Sequence, residues 1–189
     1  MKLNKVICEN CPLRLFNPDN KVCMKGVGDV YSDKLIVLPY IDKKAFKHHG
    51  IDSGILFEDV KEVLDSSTGG CMEANYYITS LIKCKESYKL DMTDDIVSRC
   101  SMHLYNEISQ LRPKYVFLFG NAVNRLLKGS IEENINRINI FGRTAYFSNY
   151  NPSIHRYNTD KTDVVRNVFI KHLKAINYNE FSDYEIIKY

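Results

Sequence analysis

The stretch "KYVFLFGNAVNRLLKG", Lys114 to Gly129, constrains the fold more than any other part of the chain. Its first half is the clearest strand in the sequence, and a helical pattern follows directly, with Gly129 as its stop. Other segments repeat this alternation. "DKLIVLPYID" holds a short apolar run, Leu35 to Leu38, that suits a buried strand ended by Pro39. "ILFEDVKEVLD" places Ile55, Leu56, Val60, Val63 and Leu64 at helical spacing, and "NYYITSLIKC" is β-branched and aromatic, as a strand should be. Thr93 is placed as an N-cap, with Asp94 and Asp95 at the positive end of a helix that runs to about Leu111, before Pro113.

"RINIFGRTAYFSNY" reads as one or two short strands around Gly142. "DKTDVVRNVFIKHLKAIN" reads as an amphipathic helix, with Val164, Val165, Val168, Phe169 and Leu173 on one side. Strands separated by helices predict an α/β fold: three layers, α/β/α, around a mostly parallel four-stranded sheet. Functional residues are then expected at the carboxyl ends of the strands, at Pro39 to Asp42, Thr79 to Ser80, Gly120 to Asn121, and Ser148 to Arg156. The 189 residues are expected to form one domain, 1–189, with the stretch from about 177 a short extra element or a loose tail.

No apolar run approaches a membrane span, and "MKLNKVICEN" lacks a signal-peptide core, so a cytoplasmic protein without membrane partners is expected. A monomer is the default. The formal charge of +3 is too mild to imply nucleic acid alone. Local clusters say more: Lys43, Lys44, Lys47, His48 and His49 lie together, and Lys83 and Lys85 flank a cysteine. Such groups either contact phosphates or form a solvated surface.

Six cysteines in a reducing compartment point to metal or redox chemistry rather than disulfides. Cys8 and Cys11 form a C-x2-C pair, Cys84 ends a strand, and Cys100 lies in the next helix. Four thiolates suit zinc or an iron–sulfur cluster, and the residues alone leave that choice open. Cys23 and Cys71 read as buried, unliganded cysteines.

Several stretches, in order, resemble the family 4 uracil-DNA glycosylases, the iron–sulfur branch of the uracil-DNA glycosylase superfamily. "CENCPLR" resembles the N-terminal cysteine pair, "VCMKGVGDVYSDKLIVL" the glycine-bearing lead into the first strand, and "YYITSLIKC" is similar to "YITNVVKC". "RPKYVFLFGNAVNRLLKG" resembles the family's strand–helix segment and "YNPSIHR" its closing "YHPSxLLR" turn. The resemblance covers roughly residues 6 to 176, on the scale of a whole domain. It implies a [4Fe-4S] cluster on Cys8, Cys11, Cys84 and Cys100, with DNA as partner.

Three chemical positions depart from the family. Where its GEAPG motif should follow Leu38, the chain reads Pro39-Tyr40-Ile41-Asp42-Lys43, with no carboxylate at Tyr40. The base-reading Asn becomes Ser80, and the His of the final motif becomes Asn151. A glycosylase takes its base out of the stack and needs a donor to a base carbonyl, an anionic or acid–base group near C1′, and a positioned water. Asn151 is the expected donor and Asp42 the expected carboxylate, with turn capping and a surface loop as their ordinary alternatives. Tyr40 is placed to stack on a base or to cap the core, and Ser80 is too short to read a pyrimidine edge with two contacts. Ser153, His155 and Arg156 are expected on backbone phosphates, with His155 in catalysis as the lesser option.

The leading expectation is a monofunctional DNA base glycosylase acting on a modified or non-uracil base, in repair or in defence against phages with modified DNA. The alternatives are ordinary uracil specificity, a non-catalytic DNA-binding protein on the same scaffold, or zinc in an unrelated α/β enzyme.

Overall fold

Leu35, Ile36, Val37 and Leu38 are all buried, although neighbours along a strand point to opposite faces. Such a run is satisfied only between two apolar layers, and the chain supplies both. The computed structural model describes residues 8–16, 23–68, 75–85, 93–127, 129–156 and 162–189, without the side chains of 15, 16, 63–68, 85, 121, 122, 155, 156 and 162. Its strands are β1 (Val27–Gly28), β2 (Lys34–Ile41), β3 (Tyr77–Lys85), β4 (Tyr115–Phe119), β5 (Arg137–Phe141), β6 (Thr144–Asn149) and β7 (Glu185–Lys188). Its helices are α1 (Pro12–Phe16), α2 (Lys43–Lys47), α3 (Ile55–Thr68), α4 (Asp94–Leu111), α5 (Gly120–Asn124), α6 (Ile131–Asn134) and α7 (Thr162–Tyr178), with 3-10 turns at Ile51–Ser53 and Pro152–Arg156.

The sheet order is β1-β3-β2-β4-β6-β5-β7. Strands β3, β2, β4 and β6 are mutually parallel and form the expected four-stranded centre. The sheet is nonetheless wider than expected, with seven strands among the described residues. Val27–Gly28 adds a two-residue antiparallel edge to β3. The stretch around Gly142 resolves into a β5–β6 hairpin, and β7 pairs parallel to β5. Residues 185–188, in the stretch left between an element and a loose tail, therefore extend the sheet.

Ile36, Leu38, Phe117, Phe119 and Phe147 face α3 and α7, where Phe169 packs edge-on against Phe117 at 5.2 Å. Leu35, Val37, Val116 and Leu118 face α4, against Ile96, Leu104 and Ile108. The alternation along β2 and β4 thus divides one apolar run between two cores, giving the three-layer α/β/α arrangement.

Local signals act as the sequence reading requires. The Thr93 side chain accepts from Ile96 N, and α4 ends at Leu111 with Arg112 in the left-handed region, φ 51°, ahead of Pro113. One helix is shorter than expected. The helical pattern after β4 yields only Gly120–Asn124, where the Asn124 amide donates to the Gly120 carbonyl at 3.0 Å and the chain then tightens into i to i+3 turns.

Candidate active site and thiol cluster

The chain turns sharply where β2, β4 and β6 end together. Gly120, φ +76°, ends β4 with a backbone conformation that disfavours a side chain, and a Cβ there would sit 3.5–3.6 Å from Pro39 and Asn151. Beside this junction is a pocket of about 210 Å³ lined by Tyr40, Asp42, Ile55, Leu56, Asn151, Ser153 and Ile154. Four of the seven expected active-site residues, Tyr40, Asp42, Asn151 and Ser153, line this one concavity.

Asn151 has a defined orientation. Its Oδ1 accepts the Ser153 backbone N–H at 3.1 Å, and since an N–H only donates, the oxygen must occupy that side. The Nδ2 group is thereby left as a donor with no partner among the described residues. The next polar group is fixed from below: Ser153 Oγ donates to Asp59 Oδ2 at 2.6 Å, and Asp59 is almost wholly buried in α3. Ser153 was expected on a phosphate, but its hydroxyl proton is committed to Asp59 in this structure. Asp59 escaped the sequence reading, although a carboxylate one residue from Val60 and three from Leu56 on an apolar helix face is a signal in itself.

Asp42 caps two helices at once. Its Oδ1 accepts from Lys44 N at 2.9 Å and Ala45 N at 3.0 Å, and its Oδ2 from Leu56 N at 3.2 Å. A Cβ on Gly54 would approach Oδ2 to 2.5 Å, so glycine is required for the close passage of α3's first turn. Three of the carboxylate's roughly four lone-pair sites are therefore occupied by backbone donors. Asp42 borders the pocket as a fixed charge.

Ser80 is not part of the pocket wall. It is fully buried, and its Oγ donates to the Ile82 carbonyl at 3.0 Å. His155 and Arg156 lie in the 3-10 turn Pro152–Arg156, and their side chains are outside the described residues. The charge clusters separate in the structure. Lys43, Lys47, His48 and His49 are exposed on and after α2, whereas Lys44 pairs with Glu58. Lys83 is not available to phosphate: it is buried and bonds Glu107 Oε2 at 2.5 Å and Thr79 Oγ1 at 2.6 Å.

On the opposite face of the sheet, Cys11, Cys84 and Cys100 are buried in one apolar cluster, with Cys23 packed against it. Cys8 Sγ lies 3.9 Å from Cys23 Sγ and 3.1 Å from His103 Nε2, and Cys23 Sγ lies 3.7 Å from Cys84 Sγ. All five of these cysteines are free thiols, and Cys71 falls outside the described residues. Contact with Cys23 pushes the Cys8 thiol up to about 12, and burial pushes Cys100 up to about 12. Soft thiol donors gathered in apolar surroundings suit an iron–sulfur cluster, whose binding would displace those thiol protons. No three His, Cys, Asp or Glu side chains among the described residues are preset around a single ion.

The parallel centre of the α/β/α sheet thus carries a pocket at its strand ends, bordered by the Asn-Pro-Ser turn. The family model of the uracil DNA glycosylase superfamily matches residues 38–174. The chain belongs to that superfamily and is a DNA glycosylase, a hydrolase of N-glycosyl bonds. It is similar to the type-4 uracil-DNA glycosylase of Saccharolobus solfataricus, at 24% identity over 187 residues, covering 90% of this chain and 82% of that one. It is also similar to the type-4 uracil-DNA glycosylase of Sulfurisphaera tokodaii, at 23% identity over 141 residues, covering 69% of this chain and 62% of that one. No helix among the described residues is long and apolar enough to cross a membrane.

Proposed function

We propose that the protein flips a nucleotide of DNA into the pocket at Asn151 and hydrolyses its N-glycosidic bond with water, leaving an abasic site. The oriented amide of Asn151 carries this reading. With Oδ1 held by Ser153 N, Nδ2, which has no partner among the described residues, donates to a carbonyl of the departing base, where negative charge grows as the bond to C1′ breaks. Asp42 supplies a fixed carboxylate for the positive charge that develops on the sugar. Its three backbone bonds favour that electrostatic role over accepting a proton from water. Tyr40 offers a ring to the face of the flipped base. Exposed Lys43 and Lys47, with His155 and Arg156 of the closing turn, take backbone phosphates.

The target in this reading is a modified or non-uracil base. Ser80 stands where the resembled family reads the pyrimidine edge, and here it is buried and bonded to its own strand. A site without that edge contact loses its strongest means of rejecting other bases. Ordinary uracil specificity is the second reading, favoured by the names of the two relatives. The biological setting follows from the base: repair for a damaged one, defence for a phage-type modification. The protein acts as a cytoplasmic monomer in either case and forms no Schiff base with its substrate.

In the same proposal Cys8, Cys11, Cys84 and Cys100 hold a [4Fe-4S] cluster. Bound there, the cluster would supply a structural cross-link between the segment that leads into α1, the end of β3 and α4. The expected result is alkali-labile abasic sites and released base from one member of a panel of uracil, deaminated and hypermodified DNAs. A uracil-only result selects the second reading, and no abasic site from any member removes both.

A further inference from the structure

Cys23 belongs to none of the expected ligand positions, yet its sulfur touches two of them, Cys8 at 3.9 Å and Cys84 at 3.7 Å. Its position is fixed by the backbone. Met24 N donates to the Lys83 carbonyl at 2.7 Å, and the chain then continues into β1, paired with β3. Residues 23–28 are therefore laid along the strand that carries Cys84, with Cys23 at its cysteine-bearing end.

We infer that Cys23 is a substitute ligand of the metal centre, able to take the coordination position of Cys8 or Cys84. The inference rests on the cluster reading above. The exchange is a ligand substitution without electron transfer. Cys23 gives its thiol proton to solvent, its sulfur lone pair binds iron, and the displaced sulfur leaves iron and takes up a proton. Because its sulfur touches those of Cys8 and Cys84, Cys23 would be placed to take over from either as a ligand. Charge does not oppose the exchange, since one thiolate replaces another.

The test compares variants purified without oxygen, reading iron and acid-labile sulfide per chain and the thiolate-to-iron absorbance near roughly 400 nm. Cys23→Ser should keep the iron of the unsubstituted protein. Cys84→Ser should keep at least about half of it, and Cys84→Ser with Cys23→Ser about tenfold less. The same comparison with Cys8→Ser covers the case in which a Cys84 variant does not fold, as judged by circular dichroism. Equal iron in each single variant and its double overturns the inference while leaving the cluster in place. An unsubstituted protein without iron overturns both.

Discussion

Ser153 Oγ donates to Asp59 Oδ2 at 2.6 Å, which ties the turn that carries Asn151 to a buried carboxylate of α3. The two residues are far apart in sequence, and the bond sets the position of the pocket's closing edge against its helical wall. Asp59→Ala should lower stability by about 1–3 kcal/mol, because it strips a buried hydroxyl of its acceptor. It should also lower kcat more than it weakens DNA binding, since the orientation of Asn151 depends on the Ser153 backbone. Thermal denaturation and single-turnover kinetics measure the two effects.

Asp42 joins its charge to the capping of α2 and α3. Asn can still cap α2 through its one amide oxygen, but its Nδ2 would face the Leu56 N–H, so Asp42→Asn should cost about 1–2 kcal/mol of stability, read by thermal denaturation. If its carboxylate steadies the sugar cation as proposed, its loss should slow base release by about a hundredfold. Full activity in this variant would reduce Asp42 to its capping role.

His172 gives the fold a pH dependence of its own. Burial lowers its pKa from the usual 6.5 to about 4, so it is neutral in the folded protein near neutral pH. The unfolded chain takes up the proton first as pH falls, so this contribution is complete above about 6.5 and is lost between there and about 4. The loss amounts to roughly 3 kcal/mol at most. Denaturant unfolding of the protein and of His172→Gln across that window should show the slope and its reduction.

The Lys83–Glu107 pair is buried on both sides and also engages Thr79. Removing one partner strands the other charge, so Lys83→Met should cost about 3–5 kcal/mol. Lys83→Met with Glu107→Leu should recover most of that loss, as read by equilibrium unfolding.

The sheet centre was legible in the sequence because Leu35 to Leu38 and Tyr115 to Phe119 bury residues on both faces and Gly120 follows the second run; Pro39 does not end its strand, which continues to Ile41 in pairing with β3. The edges were not. Val27–Gly28 has only two residues, and residues 185–188 become a strand only through pairing with β5, which no local pattern announces. At the site, motif order places Tyr40, Asp42 and Asn151 at strand ends, and the fold brings the three to the wall of one pocket. Asp59 carries no signal of its partner, which is remote in sequence, and no sequence shows that the Ser80 hydroxyl turns back to Ile82. Cys23 was set aside for the same reason: its neighbours Cys8 and Cys84 meet it only in the fold.

The most direct test of the central claim is base release by the protein and by Asn151→Ala on the panel of uracil, deaminated and hypermodified DNAs. The account predicts release of a single base other than uracil, about a hundredfold slower in Asn151→Ala, with DNA affinity unchanged. Release of no base at all, or undiminished release by Asn151→Ala, would contradict it.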